Sequence, residues 1–189
     1  MGTSTNQRSP DRPTWRLAQA LIGRADVSAA NQSAELWRAA SLDLETNISN
    51  RLSDPILANA CVTAGVVTSP VEAIRSYDSL LNETRAAGFI FDLARRALVR
   101  SVAENQGSQG FARELFAETI AYYASRDLPS YVGKKGRIAT TTEVIQLKNQ
   151  LQQHAREIAG SLALPKISKE TWSSYVLRVT DKLRSHKKS

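Results

Sequence analysis

The residues best suited to chemistry lie in one short segment, PSYVGKKGRIATTT, which runs from Pro129 to Thr142. Two glycines frame its cations and let the backbone approach a ligand closely. Such a loop beside a helix start can bind phosphate, because backbone N–H groups and positive side chains converge on the anion. Tyr131 adds an aromatic face on which a base of a single strand can stack. The cations of the segment are Lys134, Lys135 and Arg137.

The net charge of the chain is concentrated in the same region. From Tyr131 onward, eight lysines and four arginines stand against four acidic residues and give +8. The preceding residues hold 13 arginines and 14 acidic residues, which give −1. Such asymmetry indicates an anionic partner, most often nucleic acid. We therefore expect further nucleic-acid contacts from Lys166, Lys169, Arg178, Lys182 and Arg184.

The sequence contains no motif that reads bases. A helix-turn-helix, a zinc finger, an RNP motif and a basic zipper are all missing from it. The prediction is therefore a non-enzymatic subunit that contacts the phosphate backbone of RNA or DNA without sequence specificity. We expect it to work with other protein subunits in a larger nucleoprotein complex.

A second hypothesis comes from the glutamine-rich helix that follows the loop. Its apolar positions recur at the spacing of a coiled-coil seam, which is typical of a helix that packs along another helix. That other helix can belong to this chain or to a partner. The alternative function is thus a helical protein–protein module that binds an acidic partner. The predicted seam consists of Val144, Leu147, Leu151, His154 and Ile158.

Catalytic and metal-binding patterns are missing from the sequence. The two histidines, His154 and His186, have no motif around them, and no CxxC, HExxH or GxSxG pattern occurs. Cys61 lies among small apolar residues and is interpreted as a buried core residue. We therefore expect no enzymatic activity, no metal and no cofactor. The third hypothesis is an enzyme whose active site the sequence does not reveal.

Charged residues before the loop are interpreted as a solvated surface. Glu114 and Glu118 lie one helical turn apart, with Arg113 nearby, and are expected to face water. Arg95 is interpreted as available to a partner. Four further residues are spaced for a charge ladder along one helix: Asp92, Arg96, Arg100 and Glu104.

Capping residues and apolar spacing predict helices along most of the chain, and strand patterns are nearly absent. Asp54 and Pro55 predict a helix start, and Gly65 its end. Ser69 with Glu72, and Thr140 with Glu143, form capping boxes, and Ser168 is expected to cap the last helix. The apolar face of that helix is predicted to hold Trp172, Val176, Val179 and Leu183. The fold class is all-α, a bundle of about seven helices with a basic two-helix C-terminal segment.

Composition divides the chain into a sequence of regions. A flexible N-terminus (1–12) precedes a neutral helical body (13–128), followed by the basic Gly/Lys loop (129–140), the basic two-helix segment (141–185) and a basic tail (186–189). A single cysteine and the lack of a signal-peptide pattern favour an intracellular, cytoplasmic protein without a membrane partner. Arginines around the amphipathic TWRLAQALIG leave organelle targeting as an alternative.

Overall fold

The computed structural model of the chain describes residues 48–127, 129, 132 and 140–184; of Asp127, Lys169, Glu170 and Arg184 it describes the backbone. These residues form an all-α bundle of seven helices, which confirms the predicted fold class. The helices are α1 (Asn50–Leu52), α2 (Pro55–Val66), α3 (Pro70–Thr84), α4 (Phe89–Ala103), α5 (Gly107–Asp127), α6 (Thr141–Ser161) and α7 (Lys169–Arg184).

Three of the predicted helix starts have their caps. The Asp54 carboxylate accepts a hydrogen bond from the backbone N–H of Ile56 at 2.8 Å, and Thr140 Oγ1 accepts one from Glu143 at 3.2 Å. Ser168 Oγ accepts from the N–H of Thr171 at 3.3 Å. The capping box predicted at Ser69 is wrong, because its side chain makes no cap hydrogen bond. There Pro70 starts the helix with a fixed φ and no N–H to satisfy.

The predicted stop at Gly65 is also wrong, because α2 continues to Val66. Gly65 does not end the helix; it allows a neighbouring helix to pack closely against α2. A Cβ added to it would fall 2.4 Å from Ser108 Oγ. That hydroxyl donates a hydrogen bond to the Cys61 carbonyl at 2.7 Å, so the start of α5 lies directly against α2.

Helix α5 lies at the centre of an antiparallel array. On one side it packs against α4, where Arg100 pairs with Glu114 at 2.7 Å. On the other side it packs against α6, since the Gln109 amide donates to the Ala159 carbonyl at 3.0 Å. The beginning of α5 therefore meets the end of α6.

The last helix enters the same hydrophobic core as the helices before it. Its predicted face is buried: Trp172, Val176 and Val179 are fully covered and Leu183 is 2% exposed. Trp172 Nε1 donates to the Leu52 carbonyl at 2.7 Å, across 120 positions of sequence. The basic C-terminal helices and the neutral helices before them thus share one core.

Candidate nucleic-acid interface

Cations from two helices contact the end of α6 and the residues that follow it. Arg113 on α5 crosses this point closely, because a Cβ added to Gly160 would lie 3.1 Å from Arg113 Cδ. The missing side chain at Gly160 therefore gives the arginine its path across α6. On α7, Lys182 donates from Nζ to Ser161 Oγ at 2.7 Å, and Arg178 donates from Nη2 to the Ala163 carbonyl at 3.3 Å. We call Arg113, Arg178 and Lys182 the cationic corner.

Two of these cations have neutral acceptors. Lys182 bonds to a hydroxyl, and Arg178 bonds to a carbonyl while its guanidinium carbon lies 5.9 Å from the centroid of the Tyr175 ring. Neutral groups orient a cation without cancelling its charge, and both side chains are exposed. Acidic neighbours are present too: Glu157 accepts from Gln153 at 3.0 Å, and Asp181 has an interaction of its own. The arrangement suits an anion that approaches from solvent.

The backbone under the cationic corner is held by buried polar groups. The Gln109 side chain donates to the carbonyls of Ala159 and Leu162 and accepts from the N–H of Leu164 at 3.3 Å. The Tyr175 hydroxyl donates to the Ala159 carbonyl at 2.8 Å. Burial raises the pKa of the Tyr175 phenol, which keeps it protonated and able to donate at neutral pH. The carbonyls of Ala159 and Leu162 are thus satisfied, and a helix C-terminus favours nearby cations.

The structure describes some of the residues predicted to contact nucleic acid, but not all of them. Arg178 and Lys182 lie together on α7, and Lys166 is exposed in the connection between α6 and α7. Lys169 and Arg184 lie at the two ends of α7. The predicted loop residues lie outside the described residues: Tyr131, Lys134, Lys135 and Arg137.

Arg113 is the member of the corner that sequence reasoning missed. Its helix belongs to the neutral body, and Gly160, which it crosses, stands far along the chain. The spacing of charged and apolar residues does not indicate such a contact. A glycine late in an amphipathic helix was the available hint, since it marks a close approach as well as a helix end.

The predicted seam has its partner helix within this chain. Val144, Leu147, Leu151 and Ile158 are buried in the core, on the face of α6 that packs against α5. His154 is half-buried and has an interaction of its own. Of the two partners left open by the sequence, the described structure therefore provides the intramolecular one.

The interpretation of Glu114 as solvated is wrong. Its side chain is 5% exposed and receives hydrogen bonds from Arg156 Nε at 2.8 Å and Arg100 Nη1 at 2.7 Å. Burial alone would raise the pKa of Glu114, but the hydrogen bonds and charges of Arg156 and Arg100 outweigh it and lower the pKa below its ordinary value. We call Glu114, Arg100 and Arg156 the buried ion triad, after its buried carboxylate; the Arg100 side chain is 44% exposed. The triad joins α4, α5 and α6.

Two related interpretations are corrected by the same contacts. Arg100 pairs across helices with Glu114 and, at 3.2 Å, with Glu118, so it does not belong to a simple ladder along α4. Arg95 is not available to a partner, because it makes two hydrogen bonds of 2.9 Å to the Asp78 carboxylate on α3. In both cases the arginine pairs with a carboxylate on the neighbouring helix, because the packing of the helices places that carboxylate within hydrogen-bond distance.

Three further features of the described residues bear on function: the thiol of Cys61, possible metal ligands, and the length and apolar character of the helices. Cys61 is fully buried, as predicted, and burial raises the pKa of its thiol to about 12, which leaves it a poor nucleophile. Among the described residues, no group of three or more His, Cys, Asp or Glu side chains is placed to hold a metal ion. None of the described helices combines the length and apolar character needed to cross a membrane.

Comparison with known proteins finds no match. No protein family, no curated protein and no solved structure matches this chain.

Proposed function

We propose that this chain is a helical, non-enzymatic subunit that binds the phosphate backbone of nucleic acid without sequence preference, within a larger nucleoprotein complex. The observation that carries the proposal is the cationic corner. Arg178 and Lys182, which are exposed, and Arg113, which is half-buried, contact residues 160–163 at the end of α6 and just after it. Lys166 is exposed in the connection that follows, and the net positive charge of the chain lies in its C-terminal third.

The chemistry of the corner suits phosphate. A guanidinium presents a flat fork of donors and an ammonium presents a compact charge, and both bind phosphate oxygens. Arg178 is already oriented by the Tyr175 ring and the Ala163 carbonyl, so little side-chain entropy is lost when an anion binds. Backbone contacts of this kind carry no sequence information, in agreement with the lack of base-reading motifs.

A protein partner remains the second candidate, but its main support is reduced. The seam that would have received a partner helix is buried against α5. Ile145 and Leu177 are exposed apolar side chains on the two C-terminal helices, at 52% and 46%. Single exposed apolar residues are normal on protein surfaces and identify no interface.

The test removes two charges from the corner and two from elsewhere. The double variant Arg178→Gln/Lys182→Gln is compared with Arg75→Gln/Arg96→Gln, which makes the same change of net charge at exposed residues of α3 and α4. Affinity for labelled oligonucleotides of unrelated sequence is measured by fluorescence anisotropy over a salt series. The corner variant should reduce the slope of log affinity against log salt by roughly one to two, since each phosphate contact contributes slightly under one.

The control variant should keep the wild-type slope. Equal slopes for wild type and both variants would contradict binding at the corner. If the slope fell equally in both variants, the effect would come from net charge alone and would not support a binding site at the corner. Binding to an acidic protein fragment but to no oligonucleotide would favour the protein-partner alternative.

A further inference from the structure

Aromatic rings and arginines meet at the opposite end of α5 from Arg113. The start of α4 and the last turns of α5 converge there with α1. We call this group the aromatic end; it consists of Arg51, Phe89, Tyr122, Tyr123 and Arg126.

The rings of the aromatic end are held in a fixed geometry. Phe89 and Tyr122 stack with their centroids 4.4 Å apart and their planes 13° from parallel. Tyr123 is edge-on to both, at 88° to Phe89 and 84° to Tyr122. Tyr123 is buried, whereas Tyr122 is 36% exposed. Tyr122 is therefore a preorganised ring with part of its surface in solvent.

Two arginines place positive charge around these rings. The guanidinium carbon of Arg51 lies 5.4 Å from the Phe89 centroid, and that of Arg126 lies 4.7 Å from the Tyr123 centroid. Arg51 is exposed, whereas Arg126 is half-buried and has a further interaction of its own. A rigid, partly exposed ring with cations over the two neighbouring rings suits a ligand that combines flat π faces with negative charge. Nucleotides of a single strand have both, while the bases of a duplex are already stacked on one another.

We propose that Tyr122 is a stacking platform for a base of single-stranded nucleic acid, with Arg51 and Arg126 providing the positive field for its phosphates. This inference rests on the proposed function and adds to it a preference for single strands. It also extends the binding surface beyond the cationic corner, along the length of α5. The basic loop segment follows α5 directly in sequence, so the predicted phosphate contacts and the platform are neighbours along the chain.

The experiment measures how much the bases contribute to binding. Two labelled strands of about 20 nucleotides, longer than a typical site, share the same phosphates, but one has abasic residues in place of its bases. The wild type should bind the base-bearing strand roughly five- to a hundredfold more tightly, as the stacking of one base provides. Tyr122→Leu should lose most of this preference, and Tyr122→Phe should keep it. Affinity for a duplex of the same length should stay unchanged in both variants.

A second measurement uses the wild-type protein alone, so it does not depend on the folding of a variant. A single strand that carries 5-iodouracil is cross-linked by light, and the product is digested with trypsin. The modified peptide should be ELFAETIAYYASR, which lies between Arg113 and Arg126 and contains Tyr122.

The outcomes separate this inference from the proposed function. If Tyr122→Leu keeps the wild-type preference for bases, or the cross-link maps outside that peptide, the platform is overturned while salt-dependent backbone binding stands. If the wild type binds neither strand nor the duplex at low salt, the proposed function itself is overturned, and the platform with it.

Discussion

The buried ion triad and the cationic corner both contain arginines, but the arginines have different partners and different roles in the two regions. In the triad, Arg100 and Arg156 share the carboxylate of Glu114, and with Glu118 beside Arg100 the two positive charges are balanced by two negative ones. In the corner, Arg178 and Lys182 bond to a carbonyl and a hydroxyl and keep their charge at the surface. The comparison teaches that the partner of an arginine, more than its position in sequence, separates a structural cation from one available to a ligand.

This difference has an energetic reason. A buried carboxylate must be paired, because removing its partners leaves an uncompensated charge in a medium of low dielectric constant. An exposed cation has water as an alternative partner, so its hydrogen bonds are worth little for stability. We therefore expect substitutions in the triad to change folding, and substitutions in the corner to change binding.

The largest expected effect is that of Glu114→Gln. It removes the charged acceptor of three hydrogen bonds from Arg100 and Arg156, and we expect the free energy of unfolding to fall by about 3 kcal/mol, the upper end for hydrogen bonds to a charged group. Urea denaturation followed by circular dichroism measures the change. Glu118→Gln is the matched control on the same helix, since Glu118 makes one contact of 3.2 Å to Arg100; we expect about 1 kcal/mol or less. Equal losses for the two variants would contradict the special role of Glu114.

The same carboxylate predicts a dependence on pH. The pKa of Glu114 is lower in the folded protein than its ordinary value of 4.5. Its contribution is therefore fully present above that ordinary value and is lost as the pH falls through the lower, folded-state pKa. The stability difference between wild type and Glu114→Gln should shrink in acid. A constant difference from neutral pH to strongly acidic pH would show that Glu114 does not titrate as described.

An effect of similar size is expected at one of two leucines of α7. Leu183 is buried in the shared core, while Leu177 is 46% exposed on the same helix. Leu183→Ala should lower the free energy of unfolding by about 2–4 kcal/mol, as truncations in a core do. Leu177→Ala should change it by less than about 0.5 kcal/mol. Thermal unfolding of both variants decides this, and an unchanged melting temperature for Leu183→Ala would place α7 outside the cooperative core.

The last prediction adds the basic loop to the comparison. Its three cations lie outside the described residues, so their role remains the prediction made from sequence. The triple variant Lys134→Ala/Lys135→Ala/Arg137→Ala should weaken binding to unrelated sequences alike, without changing stability. The slope of log affinity against log salt should fall by roughly two to three. A wild-type slope would leave the loop a plain connection and strengthen the protein-partner alternative.

The sequence by itself determined the fold class, the caps at Asp54, Thr140 and Ser168, and the buried face of α7. These features depend on neighbours within one or two turns of a helix, and apolar spacing reports them directly. It also determined that the positive charge lies in the last third, since composition does not depend on folding.

Only the tertiary structure decided which charges cancel. Glu114 looked solvated because its pairing partners, Arg100 and Arg156, lie 14 and 42 positions away in sequence. Arg113 joins the cationic corner at Gly160, and Tyr122 joins the aromatic end at Phe89, so each contacts a residue of a neighbouring helix many turns away in sequence. Electrostatic and aromatic contacts act over a few ångströms in space, and helix packing, which local patterns do not encode, brings such residues together.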